Sequence, residues 1–253
     1  MQLFLIRHGQ SANNVIESAA PGSPAAQTGR HQDPELTAKG ERQAQCAAGY
    51  LARQGHLYPD EREPGQPPIN RLYCSPMIRA LHTAQYLGRA LGLRPQVWVD
   101  LHEMGGIYLD QAGGRVGFPG QTAAQIRARF PEAQLPPEVT EEGWWRGGFE
   151  EGHRAQGRAI GVALALRAMA AGSGRVGLVS HGDFLNGLLK ALEDRLPGGG
   201  DLLGKPQHRH HPGRLRSHGP HRVKVPQPRG ASAGRAAHPR LRRGRLRTRA
   251  VLL

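Results

Sequence analysis

Short apolar runs alternate along this chain with segments of helical periodicity, and no other feature limits its possible folds so strongly. Each apolar run predicts a buried strand, and the runs cover residues 2–6, 71–74, 96–99 and 176–179. The predicted helices begin after Thr37 and near residues 76, 123, 151 and 182. Strands that alternate with helices form a mostly parallel sheet with helices on both faces. We therefore predict an α/β fold with three layers, a sandwich around a central sheet.

The net charge of +14 points to an acidic partner such as nucleic acid, but the excess charge is confined to one segment. Residues 202–253 hold 14 of the 34 lysines and arginines and no acidic residue, so the other 20 basic residues are balanced by the 20 acidic ones. We predict a folded domain over residues 1–197 and a basic tail over 198–253 that is disordered, because the tail cannot bury a core. The tail has no aromatic residues for stacking, so we expect no nucleic-acid partner.

Cysteine usage and the apolar segments indicate a cytoplasmic protein without a membrane partner. Cys46 and Cys74 show neither a disulfide framework nor the spacing of metal ligands, which favours a reducing compartment. The N-terminal apolar run is short and ends at Arg7, so it predicts a strand rather than a signal peptide. The apolar stretch at 162–171 is interrupted by Arg167 and is too short to span a membrane.

Five chemically active side chains follow the predicted strands directly. In open parallel sheets, functional residues collect just beyond the carboxyl ends of the strands. Here those positions hold Arg7, His8, Arg79, Glu103 and His181. Two arginines and two histidines provide directional donors for the oxygens of a phosphoryl group. A neutral imidazole can attack phosphorus, and a carboxylic acid can protonate the leaving oxygen and later activate water. The pattern therefore indicates phosphoryl transfer.

Four short motifs surround these side chains, and they occur in a fixed order. They are Arg7-His8-Gly9 with Ser11 and Asn14; Asp33, Leu36, Thr37 and Gly40; Ser75-Pro76-Met77-Ile78-Arg79-Ala80 with Thr83-Ala84; and Ser180-His181-Gly182. The set resembles the signature of the histidine phosphatase superfamily, in its phosphoglycerate mutase-like branch. The resemblance extends over about residues 1–195.

The resemblance implies a role for each of these side chains. His8 would be the nucleophile that becomes phosphohistidine, and Glu103 would be the general acid and base. The residues implied to bind the substrate are Arg7, Ser11, Asn14, Arg79 and His181. Arg7, Arg79 and His181 would also be catalytic, because they stabilise the charge on the transferring oxygens. The resemblance implies a small phosphorylated substrate, and neither a metal nor a cofactor.

The stretch after Glu103 favours one activity of this family over another. In the mutases an R-H-Y-G-type stretch follows the acid, and paired arginines come later. Here Met104-Gly105-Gly106-Ile107-Tyr108 follows, and no Arg-Arg pair precedes Arg242-Arg243. We predict a metal-independent phosphatase of the histidine acid type, which acts on a small phosphorylated metabolite. A cofactor-dependent phosphoglycerate mutase and a catalytically inactive protein with a nucleic-acid-contacting tail are the alternatives.

The segment after Glu103 is also predicted to form the lid. Glycine dominates residues 105–120, which predicts a long functional loop within a lid that spans 104–150. The pair Trp144-Trp145 in that lid is either a substrate platform or simple packing, and the residues favour neither.

Two other side-chain groups have ordinary interpretations. The spacing from Cys74 to Arg79 is too short for the loop of a cysteine phosphatase, so Cys74 is predicted to be a buried strand residue. The tract His208-Arg209-His210-His211 has no supporting carboxylates, and we predict no metal site there.

The tail departs from the family pattern from about residue 197 onward. Family segments of the type N-T-G-I-T and Y-L-N are absent from it. Codons for residues 207–212 and 225–233, read one base later, are compatible with both segments. We therefore predict a frameshift in the gene or its sequencing near residues 195–205. Resequencing of that DNA tests the idea, because an intact frame with no nearby insertion or deletion would refute it.

Overall fold

A parallel sheet of five strands forms the centre of the protein in the computed structural model, which describes residues 1–23, 29–62, 66–170, 172, 174–195 and 246–251. The strands are β1 (Gln2–Arg7), β2 (Arg71–Cys74), β3 (Gln96–Val97), β4 (Tyr108–Gln111), β5 (Gly114–Gly117), β6 (Arg175–Ser180) and β7 (Arg247–Val251). The central sheet has the order β3-β2-β6-β1-β7, and every neighbouring pair in it is parallel. Strands β4 and β5 form a separate antiparallel hairpin. The prediction of a mostly parallel sheet is confirmed.

Helices cover both faces of this sheet. They are α1 (Ala12–Ala19), α2 (Ala38–Ala52), α3 (Ile78–Leu91), α4 (Ala123–Arg129), α5 (Gly152–Met169) and α6 (Gly182–Leu192). Alternate side chains of β1 point to opposite faces: Phe4 and Ile6 pack with α2 and α3, whereas Leu3 and Leu5 pack with α5 and α6. The three predicted layers are therefore present. Within the described ranges, no helix has both the length and the apolar character needed to cross a membrane.

The ends of two helices follow from local sequence signals. The side chain of Thr37 accepts a hydrogen bond from the N–H of Gly40 and so caps α2. Gly92 adopts a φ of 66° and ends α3, a conformation that favours glycine. The sequence analysis did not predict α1, which begins after the N-cap residue Ser11.

The glycine-rich stretch 105–120 is more regular than predicted, because residues 108–117 form the β4–β5 hairpin rather than an irregular loop. A side chain from outside the stretch, that of Phe149, explains the difference. The ring of Phe149 packs edge-on against Tyr108 at 4.8 Å, and the Arg115 guanidinium lies 3.9 Å from the Phe149 ring centroid. A distant aromatic residue thus supports strands whose glycine content alone favours a loop.

The C-terminal segment also differs from the prediction at its far end. Strand β7 pairs with β1, so the predicted disorder of 198–253 is corrected for residues 247–251. Arg249 donates to both carboxylate oxygens of Glu61 at 2.7 Å and to the carbonyl of His56 at 2.7 Å. A basic strand without a core of its own is held here by the edge of β1 and by a carboxylate. The tract 208–211 and nearly all of the segment assigned to the frameshift lie outside the described residues.

Candidate active site

The carboxyl ends of β1, β2 and β6 bring three predicted site residues together. Strands β1 and β6 are parallel neighbours with Arg7 opposite Ser180, so the next residues, His8 and His181, lie side by side. Their ring centroids are 5.0 Å apart. Arg79, in the first turn of α3 after β2, donates from Nε to His8 Nε2 at 3.1 Å. All three of these side chains are buried.

Glycine and threonine hold the turn that follows β1. A Cβ added to Gly9 would overlap the backbone of Gly40, so only glycine allows the start of α2 to approach this turn so closely. The N–H of Gly9 donates to Thr83 Oγ1 at 3.2 Å, and that hydroxyl donates to the carbonyl of Arg79 at 2.8 Å. These contacts place the turn against α3 and account for the glycines and the threonine in the sequence motifs.

Hydrogen bonds determine the tautomer of His8. Its Nδ1 lies 2.6 Å from the carbonyl oxygen of Gly9, which can only accept, so Nδ1 carries the proton. Nε2 is then the basic nitrogen. Burial lowers the pKa of His8 well below its ordinary value, and the charges of Arg79 and Arg7 lower it further, against the opposing hydrogen bond to Gly9. The ring is therefore neutral at pH 7, with a lone pair on Nε2.

Two buried nitrogens of the site have no hydrogen-bond partner among the residues that the structure describes. They are Nε of Arg7, which carries a proton, and Nδ1 of His181. The other ring nitrogen of His181, Nε2, lies 2.8 Å from Ser75 Oγ, which also accepts the N–H of Met77 at 3.2 Å. Burial, reinforced by Arg79, lowers the pKa of His181, so this ring is also neutral. An unpaired buried guanidinium N–H beside two neutral imidazoles suits an anion.

Glu103 lies at the N-terminus of α6, the helix for which His181 is the N-cap. Its carboxylate accepts hydrogen bonds from the N–H of Phe184 and from the N–H of Met104, each at 2.9 Å. Burial raises the pKa of Glu103 above its ordinary value, and the charge of Asp183 raises it further, against the effect of nearby cations and N–H groups. A raised pKa keeps more of this group protonated near neutral pH, as a general acid requires.

Asp33 connects Arg79 to the start of α3. Its carboxylate accepts the N–H of Ile78 at 3.1 Å and lies 3.5 Å from Arg79 Nη1. Burial raises the pKa of Asp33 to about 6, although Arg79 and the N–H of Ile78 oppose the rise. One guanidinium is thus held between this carboxylate and the imidazole of His8.

The raised pKa of Asp33 predicts an unusual pH dependence of stability. The folded-state pKa of about 6 exceeds the ordinary value of 3.8, so the folded protein keeps a proton that the unfolded chain releases in that range. The contribution of Asp33 is fully present below about pH 4 and is lost as the pH rises through 6. Between pH 4.5 and 7, we expect the free energy of unfolding of Asp33→Asn to rise relative to wild type by at most about 3 kcal/mol. The Tm of the variant should rise relative to wild type over the same range. Thermal melts at both pH values check this, and a relative gain for wild type would contradict it.

The predicted substrate contacts Ser11 and Asn14 bind each other. The hydroxyl and the N–H of Ser11 each donate to Asn14 Oδ1 at 3.0 Å, which caps α1. Ser11 is the N-cap of α1 and Asn14 lies in its first turn, just after the turn of Gly9. Contact of either side chain with substrate stays a prediction.

Positive charge at the site comes from arginine side chains, because both site histidines are neutral. Within the part of the chain that the structure describes, no group of three or more histidine, cysteine, aspartate or glutamate residues is arranged to hold a metal ion. The arrangement suits a group that carries several oxygens of its own.

Sequence reasoning missed a buried ion pair close to Glu103. Arg158 of α5 donates from Nε and Nη2 to the two carboxylate oxygens of Glu150, at 2.8 and 2.5 Å. Its third nitrogen binds the carbonyls of Asp100 and His102. No local motif marks this cluster, since its members come from separate parts of the sequence.

Cys74 and the pair Trp144-Trp145, which the sequence analysis also noted, pack in the hydrophobic core. Cys74 is buried in β2, and burial raises the pKa of its thiol to about 12, which confirms the prediction of a strand residue. Trp144 is buried, and the rings of Trp144 and Trp145 pack against His102 at 5.5 and 4.7 Å. These contacts favour packing over a substrate platform for the two tryptophans.

A family comparison agrees with the motifs and with this geometry. The family model described as histidine phosphatase superfamily (branch 1) matches residues 3–208. The chain belongs to the histidine phosphatase superfamily. The matched range contains His8, Arg79, Glu103 and His181, so the resemblance seen in the motifs is confirmed.

Solved structures are similar to this chain in fold. The ecdysone phosphate phosphatase EPPase of Bombyx mori, in complex with tungstate, is 17% identical, with 93% of this chain and 97% of that chain covered and a TM-score of 0.52. A mycobacterial glucosyl-3-phosphoglycerate phosphatase in complex with VO3 is 24% identical. The match covers 76% of this chain and 81% of that chain, with a TM-score of 0.43. The first of these supports the three-layer fold.

A curated relative matches this chain over part of its length. The PE-PGRS family protein PE_PGRS11 of Mycobacterium tuberculosis is 35% identical over 109 residues, which is 42% of this chain. The match spans only 15% of that relative, so it says nothing about the relative as a whole.

Proposed function

We propose that this chain is a phosphomonoesterase that hydrolyses a small phosphorylated metabolite through a phosphohistidine intermediate on His8. One observation carries the proposal. A neutral imidazole with a defined tautomer lies beside the His181 ring and accepts from Arg79 Nε, and the buried Nε of Arg7 has no acceptor among the described residues. The oxygens of a phosphoryl group would accept hydrogen bonds from both guanidinium groups.

The first step forms a covalent intermediate. His8 Nε2 attacks phosphorus, and the bond from phosphorus to the leaving oxygen breaks as the phosphorus–nitrogen bond forms. Arg79 Nε donates to His8 Nε2 in this structure. When substrate is bound, it donates to a phosphoryl oxygen instead. Protonated Glu103 gives its proton to the leaving oxygen, so that a neutral alcohol departs.

The second step releases phosphate. Water attacks the phosphorus while the carboxylate of Glu103 takes a proton from it. The phosphorus–nitrogen bond breaks, its electron pair returns to His8 Nε2, and Glu103 is protonated again for the next cycle. The guanidinium groups of Arg7 and Arg79 stabilise the phosphoryl oxygens in both steps.

The segment after Glu103 supports hydrolysis over return of the phosphoryl group to the substrate. A mutase needs additional cations for a second anionic group, and the first arginine after Glu103 is Arg115. That arginine donates to Asp110 at 3.1 Å and packs on Phe149, so it is already engaged. In this proposal residues 104–150 form the lid, and water reaches the phosphoenzyme.

The phosphoenzyme is the direct test. Protein mixed with p-nitrophenyl phosphate in EDTA and quenched in alkali should carry a phosphoryl group on the peptide that contains His8, detected by mass spectrometry. Glu103→Gln should accumulate more of it, because the variant lacks the base for the second step while p-nitrophenolate leaves without an acid. Acid treatment should remove the group, since a phosphorus–nitrogen bond is acid-labile. Hydrolysis without this adduct would overturn the intermediate, and no hydrolysis by wild type would overturn the phosphatase.

A further inference from the structure

We propose that Arg158 is a positioning residue for Glu103, a role that rests on the proposed function above. Its guanidinium binds the backbone that carries Glu103 and also packs on the residue that donates to the Glu103 carboxylate. The acid is therefore held relative to the phosphoryl site by a side chain from a different helix, α5.

The first contact is with the backbone that leads to Glu103. Arg158 Nη1 donates to the carbonyl of Asp100 at 2.6 Å and to that of His102 at 2.8 Å. The carbonyl of His102 belongs to the peptide bond whose nitrogen is that of Glu103, so this hydrogen bond orients the peptide plane before the acid. His102 directly follows a short 3₁₀ helix, Val99–Leu101, and helices of this kind have weaker hydrogen-bond geometry than α-helices.

The second contact brings in the backbone after Glu103. Arg158 binds Glu150 with two nearly parallel hydrogen bonds, and the N–H of Glu150 donates to the carbonyl of Gly105 at 3.0 Å. The ion pair is thus attached to the chain on both sides of the acid. Its side chains are only 9% and 6% exposed. Burial alone would raise the pKa of Glu150, but the hydrogen bonds from Arg158 lower it to about 2, so the pair stays ionised.

The third contact reaches the helix that binds the carboxylate. The guanidinium of Arg158 lies 4.4 Å from the ring centroid of Phe184, whose N–H donates to Glu103 Oε1 at 2.9 Å. The side chain that packs on Arg158 and the amide that orients the acid therefore belong to one residue. Displacement of a catalytic group by about 1 Å can cost about 10²-fold in rate.

A purely structural role for the ion pair makes a different prediction. Loss of a structural contact would slow all substrates equally, through less folded protein or a looser site. Loss of acid positioning would slow alkyl phosphates, whose leaving group needs a proton, far more than p-nitrophenyl phosphate, whose leaving group does not. The ratio of kcat/KM for the two esters separates these roles.

The experiment compares two variants with a matched control. Arg158→Lys keeps a positive charge opposite Glu150 but cannot make all four hydrogen bonds. The double variant Arg158→Gln with Glu150→Gln removes both charges, so no unpaired carboxylate is buried if the lysine variant folds poorly. Arg154→Lys changes an exposed arginine of the same helix and should leave both rates unchanged. The esters are p-nitrophenyl phosphate and an alkyl phosphate that the wild type hydrolyses.

We expect both Arg158 variants to lower kcat/KM for the alkyl ester by about 10²-fold and for the aryl ester only a few-fold. Glu103→Gln should show the same selective pattern with a larger ratio. Equal losses on both esters, or no loss, would overturn the positioning role while wild-type turnover upholds the phosphatase. Failure of the wild type to hydrolyse any phosphomonoester would overturn the proposed function, and this role with it.

Discussion

Replacement of His8 by alanine should lower kcat/KM for p-nitrophenyl phosphate by about 10⁴-fold or more, as expected for loss of a covalent nucleophile. The neighbouring imidazole does not take over, because His181 Nε2 already forms a hydrogen bond with Ser75 Oγ at 2.8 Å. The arginines that bind the phosphoryl oxygens remain in this variant. We therefore expect inorganic phosphate to bind within a few-fold of its wild-type affinity while turnover disappears.

A buried histidine outside the site, His56, provides the control for this prediction. His56 is also buried, and it packs edge-on against Phe4 at 4.6 Å and bonds the carbonyl of Pro68 at 3.0 Å. His56→Gln should keep wild-type kcat/KM, whatever its effect on stability. Steady-state rates in EDTA, with folding checked by circular dichroism, measure both variants. Equal rates for wild type and His8→Ala would show that the chemistry occurs elsewhere.

Replacement of Arg79 by lysine should cost about 10²- to 10³-fold in kcat/KM, although the charge is kept. The guanidinium uses Nε for His8 at 3.1 Å and Nη1 for Asp33 at 3.5 Å, and one ammonium cannot make both contacts and still bind the substrate. The loss should appear mainly in kcat, since the planar fork is needed where charge develops on the transferring oxygens. Rates at saturating and limiting substrate separate the two parameters.

The same helix offers the matched control. Arg89 lies on α3, is exposed, and pairs with Glu132 at 3.1 Å. Arg89→Lys should leave kcat and KM unchanged, because exposed ion pairs contribute little. An Arg79→Lys variant as active as Arg89→Lys would remove Arg79 from the proposed mechanism.

The central sheet and most of the site could be predicted because both depend on local patterns. The continuous apolar run at residues 3–6 predicts a strand with two buried faces, and β1 has them. Parallel strands place their carboxyl ends at one edge of the sheet, so the sequence alone predicts that His8, Arg79 and His181 lie together. Neutral imidazoles then follow from burial near arginines.

The remainder depends on contacts between distant residues. Nothing near residue 158 indicates that this arginine binds carbonyls at 100 and 102. The β4–β5 hairpin similarly relies on Phe149, and β7 relies on Glu61. Their sequences favour loop or disorder when considered alone, because the stabilising partner is elsewhere in the chain.

The position of β1 between β6 and β7 has a consequence for synthesis on the ribosome. Gln2 pairs with Arg175 and with Arg247, so the strand that leads to His8 gains its first sheet neighbour only after residue 175 has been made. At about 5–20 residues per second, this leaves Leu3 to Ile6 without a strand partner for roughly 10 to 30 seconds. Nascent chains would expose an apolar strand edge throughout that interval. Yield in cells should therefore depend on translation speed and on chaperones that hold the growing chain.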